Sequence, residues 1–266
     1  MAPLGTAHSE IAEKKRLMTE PSTAARGRRG ADRTRDVART ALACFCAGGY
    51  RLTQIAQVSE RMGVSVGSIY RYVQSKDALF HLAVLEALGE LPDRLALPLS
   101  VSGLGETAER IRAAGRSDRL WSRLEDAVAA PAPADVRAEA RAIAGQLYDS
   151  ISRRAPIVRL LDRCAHETPE LAEIFDQEVR EKLMRGLVAW VARRGLAGAA
   201  GRAEAEALAR GAMEAIAWLA KTRLGDPTAL SIGEDSARAA AVRIFEGAFT
   251  YAPARKRPVG SGSAAR

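Results

Sequence analysis

Residues Thr53 to Lys76 read TQIAQVSERMGVSVGSIYRYVQSK, and this stretch decides the fold of the chain. Ile55, Val58 and Met62 recur at spacings of three and four, which line one face of an α-helix. Gly63 follows the last of them, where a helix that stops needs a residue able to take φ > 0. The chain is expected to turn there, with Val64 as an apolar plug beneath the turn. Ser65 can cap the N–H groups of a second helix over roughly Val66–Tyr72, with Ile69 and Val73 facing inward. The other side chains of that helix, Val66, Gly67, Ser68, Tyr70, Arg71 and Tyr72, include no carboxylate, so its outer face can approach phosphates. Ser75 caps a further helix whose first turn holds Lys76. Two helices joined by a short glycine turn form a helix-turn-helix, whose second helix enters the major groove of DNA. The same spacing also fits an ordinary αα-hairpin inside an all-helical core.

Charge supports the DNA-reading alternative once it is located. The net charge of +8 is not spread evenly. Residues 26–85 carry ten basic and four acidic side chains, whereas residues 86–251 carry 23 basic and 25 acidic. The positive field therefore belongs to the helix-turn-helix end, as phosphate binding requires. A second basic run, Arg255, Lys256, Arg257 and Arg266, reads as a solvated tail.

A chain of 266 residues suits a small domain attached to a larger one. Its 27% charged and 47% hydrophobic residues are those of a globular protein. No apolar run approaches the roughly 18 residues that span a bilayer, and the N-terminus lacks the apolar core of a signal peptide, so a cytoplasmic protein is expected. Cys44 and Cys46 lie two apart on a predicted helix and cannot chelate a metal together, and Cys164 near His166 has no third ligand at zinc-site spacing. The cysteines are expected as core or free thiols, with no metal and no cofactor. A redox role for Cys164 rests only on its neighbour His166.

Along the chain, residues 1–31 read as a disordered basic extension with a short helical patch near Ile11–Met18. Its arginine run, with Arg28, Arg29, Arg33 and Arg35 as candidates, is the kind of flexible arm that can lie along a minor groove. Asp32 is expected to cap a brace helix from about Arg33 to Ala47, ended by Gly48-Gly49. Ala78, Leu79, Leu82 and Leu85 continue a fourth helix until Leu91-Pro92. The pattern weakens over 93–133, where one helix around Trp121, Leu124 and Val128 is legible before the hinge Ala130–Pro133. Five helices follow, about Ala134–Arg153, Pro156–Ala165, Pro169–Arg194, Arg202–Arg223 and Glu234–Tyr251. Ser231-x-x-Glu234 reads as a capping box for the last of them. No long stretch alternates with period two, so no sheet is expected.

The run VSERMGVSVGSIYRYVQSKDALF, preceded by ALACFCAGGY, resembles the N-terminal DNA-binding domain of tetracycline-repressor-like (TetR) transcriptional regulators. The resemblance covers about Arg33–Leu85. Ser59 and Met62 stand where the family usually has alanines, and Val73 where it has Phe. The resemblance implies an all-α protein with an N-terminal three-helix helix-turn-helix domain (32–85, the motif about 54–73). A larger helical ligand-binding and dimerisation domain (86–251) and a basic tail (252–266) would follow. Carried over by position, Thr53 and Gln54 would start the supporting helix near a phosphate. Ser65, Val66, Gly67 and Ser68 would face the groove, and Tyr70, Tyr72 and Lys76 would grip the backbone. Arg71 would meet a phosphate or a guanine edge.

The implied function is a ligand-responsive repressor that binds a palindromic operator as a homodimer and is released by a small-molecule effector. Small residues on the last two helices fit pairing about a two-fold axis as well as they fit closure of the monomer's own core. Trp121, Tyr148, Met213 and Trp218 are candidates for lining the effector pocket. An enzyme is not expected, since no phosphate loop or nucleophile–base pairing is legible. The alternative is a helical protein-interaction module that kept the fold and lost operator binding, for which Gly67 is the one hint.

Overall fold

A computed structural model describes residues 23–117, 120–196, 201–229 and 232–250 of the protein. Among the described residues every regular element is helical, and the one β-bridge joins Val73 to Leu99. The expected all-α architecture is what the chain adopts. It divides into two compact units, residues 1–117 with 156–175 and residues 118–155 with 176–266.

The first unit opens with α1 (Thr23–Leu52), followed by α2 (Ile55–Arg61), α3 (Val66–Ile69), α4 (Lys76–Leu88) and α5 (Leu104–Ser117). Helix α1 starts ten residues ahead of the expected Arg33, so Asp32 lies inside it and caps nothing, and 23–31 is helical rather than a flexible arm. Adding turns to an existing helix carries no nucleation cost, and alanine and arginine are good helix formers. The patch at Ile11–Met18 and the tail 252–266 lie outside the described residues. Near its end α1 kinks at Gly49, whose φ of 81° ends the regular helix where the glycine pair predicts. Helix α4 stops three residues earlier than Leu91, because Gly89 in the left-handed region (φ 71°) directs its N–H to Glu86 O and that of Glu90 to Leu85 O.

The core of this unit gathers Val37, Ala41 and Phe45 of α1, Val58 of α2, Ile69 of α3 and Leu79, Phe80, Leu82 and Val84 of α4. Phe45, Tyr50 and Phe80 stack and meet edge to face within it. A segment distant in sequence completes it. Helix α8 (Ala155–Cys164), a 3₁₀ turn (Ala165–Glu167) and α9 (Pro169–Ala172) contribute Ile157, Leu160, Leu161, Cys164 and Leu171 to the same core. At about 25 cal/mol per Å2 of apolar surface removed from water, such burial supplies the main stabilising term.

The second unit holds α6 (Ser122–Ala129), α7 (Val136–Arg153), α10 (Lys182–Arg193), α11 (Arg202–Ala217) and α12 (Glu234–Thr250). Asp135 caps α7 by accepting the Ala138 N–H at 2.9 Å. The expected single helices after Pro169 and after Arg202 are interrupted by π-helical turns at Glu173–Glu181 and Trp218–Thr222. Trp190, Phe245 and Phe249 form an aromatic cluster with Ile143, Leu147 and Ile216 around it.

Two charged side chains are built into this core. Arg194, with its side chain 1% exposed, makes a bidentate pair with Glu139 (2.8 and 2.9 Å) and donates to Ala127 O at the end of α6. Trp190 Nε1 donates to the same carboxylate. Arg223 donates to Leu219 O and Ile232 O and pairs with Glu234, whose carboxylate also accepts from Tyr148 and Ser152. Glu234 thus serves Arg223, and the capping box expected with Ser231 lies outside the described residues.

Candidate nucleic-acid interface

Helix α2 begins with the Gln54 N–H donating to Gln57 Oε1 at 2.9 Å. It ends as its sequence dictates, with Gly63 at φ 65°. The Gly63 N–H reaches Glu60 O and the Val64 N–H reaches Ser59 O, so the last carbonyls of the helix are satisfied and the chain reverses. Val58 is fully buried beneath the turn, and Ile55 and Met62 pack partly against the core. Val64, however, is 40% exposed and plugs nothing; the turn carries it outward.

Helix α3 is one turn, shorter than the expected Val66–Tyr72, because the N–H groups of Tyr72 and Val73 both return to Ile69 O. Ser65 stands at its N-cap with extended backbone, yet its hydroxyl bonds to the hydroxyl of Ser68 (2.9 Å) and not to a backbone N–H. Ile69 and Val73 are buried as expected. Facing solvent are Ser65, Val66, Gly67, Tyr70 and Arg71, with Val66 40% and Tyr70 48% exposed, while Ser68 and Tyr72 are half-buried. A Cβ added at Gly67 would meet nothing within 4 Å.

Lys76, the first residue of α4, is half-buried over the Tyr50 ring (4.7 Å from its centroid), with Nζ donating to Arg51 O at 2.9 Å. Desolvation lowers its pKa, against the opposing pull of Asp77 and Glu167. Burial, together with a bond to Asp77, raises that of Tyr50. Ser75 caps α4 as expected, accepting the Ala78 N–H at 3.1 Å.

Two expected contact residues are committed elsewhere. Thr53 is buried, its hydroxyl donating to Gly49 O (2.7 Å) and close to Cys44 O (3.2 Å), so it braces the α1–α2 corner and offers nothing outward. Arg35 pairs with Glu86 and Asp93, and its neighbour Arg39 with Glu86 (2.8 Å). Arg33 is exposed; the backbone at Arg28 and Arg29 is helical and their side chains lie outside the described set.

Arg51, Arg163 and Glu167 were not legible as site residues. Arg163 donates to Gly48 O (2.8 Å) and to Glu167 (2.7 Å), and Glu167 accepts the Arg51 backbone N–H at 2.6 Å. A Cβ at Gly49 would lie 2.1 Å from Glu167 Oε1, so this glycine is required by close approach as well as by its positive φ. The adjacent glycines were the one available signal.

In the second unit, Tyr148 and Met213 are buried and Trp121 and Trp218 half-buried in a single apolar cluster. Tyr148 Oη is taken up by Glu234 at 2.9 Å.

A one-turn helix presented by a glycine turn, with an exposed outer face free of carboxylate and a lysine at the next helix start, defines a helix-turn-helix DNA-binding unit. Residues 28–83 match the family model of bacterial regulatory proteins of the tetR family. This N-terminal segment is thus a domain of the kind that TetR-family DNA-binding transcriptional regulators carry. A protein from Mesorhizobium loti MAFF303099 assigned to TetR-family transcriptional regulators is similar at 15% identity, covering 82% of this chain and 96% of that one, with a TM-score of 0.40. No curated protein matches the chain. Among the described residues no helix is long and apolar enough to cross a membrane.

Proposed function

We propose that the protein is a ligand-responsive repressor that binds two operator half-sites as a homodimer. The observation that carries the DNA contact is the outward face of α3 and the start of the next helix: Val66, Tyr70 and Arg71 exposed, Gly67 open, and Lys76 docked over Tyr50 with a hydrogen bond to Arg51 O that takes one of its three N–H donors. In this reading Tyr70, Tyr72 and Lys76 hold phosphates, Gln54, Ser65 and Ser68 approach the backbone, and Val66 meets a thymine methyl. Gly67 leaves room for the DNA itself.

Dimerisation is proposed through α11 and α12. Their apolar stripes, with Ala212, Ile216, Phe245 and Phe249, close the chain's own core, while Ala203, Ala207 and Gly211 on α11 and Ile244 and Gly247 on α12 face outward. The effector is proposed to enter among Trp121, Met213 and Trp218, where the π-helical turn beginning at Trp218 has the local geometry often found at binding sites. An effector that favours one arrangement of these helices shifts the dimer away from the half-site spacing.

The test is a gel shift with DNA taken from upstream of the chain's own gene. Tyr70→Phe combined with Lys76→Ala is expected to weaken binding on all sequences and to flatten its salt dependence by about one to two ions. Unchanged affinity would remove both contacts.

A further inference from the structure

We infer that residues 93–103 are a strap that positions the exit of the recognition helix, with Leu99 as the positioning residue; the inference rests on the DNA-reading role of α3 proposed above. The strap lies within the first unit. Leu99 donates its N–H to Tyr72 O (2.8 Å) and accepts the Gln74 N–H (2.9 Å), so a parallel bridge fastens the two residues that flank Val73. These are the residues that carry the chain from α3 to Lys76.

The recognition helix needs such a hold. At four residues it is far below the length at which a helix is stable by itself, and only its surroundings fix its direction. Ile69 and Val73 anchor its inner side, and Leu99 supplies the backbone partners for its exit.

Both ends of the strap are secured. Asp93 pairs with Arg35 of α1 at 3.6 Å. At the far end the Ser102 N–H and hydroxyl both donate to Glu106 in the first turn of α5 (2.9 and 3.1 Å), and the Ser102 bonds hold the Glu106 carboxyl below its usual pKa. Helix α5 is in turn fixed to α4 by Thr107, whose hydroxyl meets His81 Nδ1 at 3.0 Å in a buried contact, and to Glu173 by Arg112 at 3.0 Å. Leu95, Leu99, Val101 and Leu104 pack on the core along the way. A displacement of α5 is therefore delivered through the short connection 100–103 to the exit of the recognition helix, a route separate from α4.

The experiment compares Leu99→Pro, which removes the N–H donated to Tyr72, with Leu99→Ala, which keeps both main-chain bonds. Amide exchange at Gln74 and affinity for a duplex selected from a random pool on the wild-type protein are read at low temperature. Leu99→Pro is expected to speed Gln74 exchange at least about tenfold and to weaken the duplex about tenfold with a smaller salt slope, while Leu99→Ala stays within about threefold. Ile174→Ala, a core truncation in the same unit, is expected to lower thermal stability without weakening the duplex. Wild-type affinity in Leu99→Pro despite faster exchange, an equal loss in Leu99→Ala, or an unprotected Gln74 amide in the wild type overturns the inference. Should Leu99→Pro not fold, Glu106→Ala frees the far end of the strap. It should speed Gln74 exchange and weaken the duplex in parallel, and no change in either also overturns the inference. A wild-type protein that selects no duplex speaks against DNA reading, and Gln74 exchange then judges the strap by itself.

Discussion

Glu167 accepts the backbone N–H of Arg51 at 2.6 Å across 116 positions of chain, and its own carbonyl accepts Arg51 Nε at 3.0 Å. One acidic residue thus fixes both the main chain and the side chain of the corner that leads into the helix-turn-helix. The carbonyl of the same Arg51 then receives Lys76 Nζ. The position of the lysine proposed to meet DNA is consequently tied to a residue that nothing in the local sequence would connect with it.

Gly49 makes this approach possible. Gly49→Ala is expected to destabilise the protein by about 1–3 kcal/mol, through the positive φ and the contact with Glu167. Urea unfolding measures it, and a loss below about 0.5 kcal/mol would mean that the corner relaxes freely.

Glu139→Ala leaves Arg194 nearly buried without its partner, which is expected to cost about 3 kcal/mol at neutral pH. Bonds from Arg194 depress the Glu139 pKa below its usual 4.5, more than burial raises it. A depressed carboxyl contributes stability that is present above its unfolded-state pKa and is lost as pH falls through the folded one. The gap between wild type and variant should therefore narrow below about pH 4.5. Parallel unfolding curves at pH 7 and pH 3 showing an equal gap would contradict the assignment.

At Gly67 the helix pays for a missing side chain without any packing reason among the described residues. Gly67→Ala should raise stability by up to about 1 kcal/mol and weaken operator binding about tenfold. A variant that is more stable and binds DNA as well as the wild type would show that the opening at residue 67 has no part in recognition.

Cys164 is buried against Phe45 O, and burial pushes its thiol up to about 12. Desolvation raises Cys46 as well. Maleimide should therefore label Cys164 only on unfolding, with DNA binding unaffected by the reagent. Labelling of Cys164 in the native protein, accompanied by loss of DNA binding, would restore a redox role.

An arginine at Gly211 would place a charge among the outward small residues of α11, where a Cβ meets nothing within 4 Å of its own chain. Gly211→Arg is expected to weaken self-association by at least about 100-fold, as an unpaired charge in an apolar contact costs about 3 kcal/mol. Sedimentation equilibrium showing an unaltered dimer would move the interface off α11.

The helix-turn-helix was legible because its determinants are local: a periodic apolar face, a glycine at the helix end and, at the start of the next helix, the Ser75 cap each act within a turn of chain. Thr53 shows the limit of that reasoning. Its position relative to α2 suits a phosphate contact, but the kink at Gly49 turns its hydroxyl inward. The strap was illegible for a different reason. Leu99 holds Tyr72 and Gln74 through main-chain atoms, which every residue but proline carries alike, so no pattern of side chains announces the pairing. Helix α5 was obscured by Gly103 and Gly105 at its start, although Ser102 donates to Glu106 in its first turn.

The insertion of residues 156–175 into the core of the first unit bears on how the protein can be taken apart. A fragment ending at residue 117 would lose Ile157, Leu160, Leu161, Cys164 and Leu171 from around Phe45 and Phe80, and would expose the apolar surface they cover. The DNA-reading half is therefore not a detachable cassette. A chimaera that exchanges the second unit for another must carry α8 and α9 along with the N-terminal helices, which requires three junctions where a tandem arrangement of domains would need one.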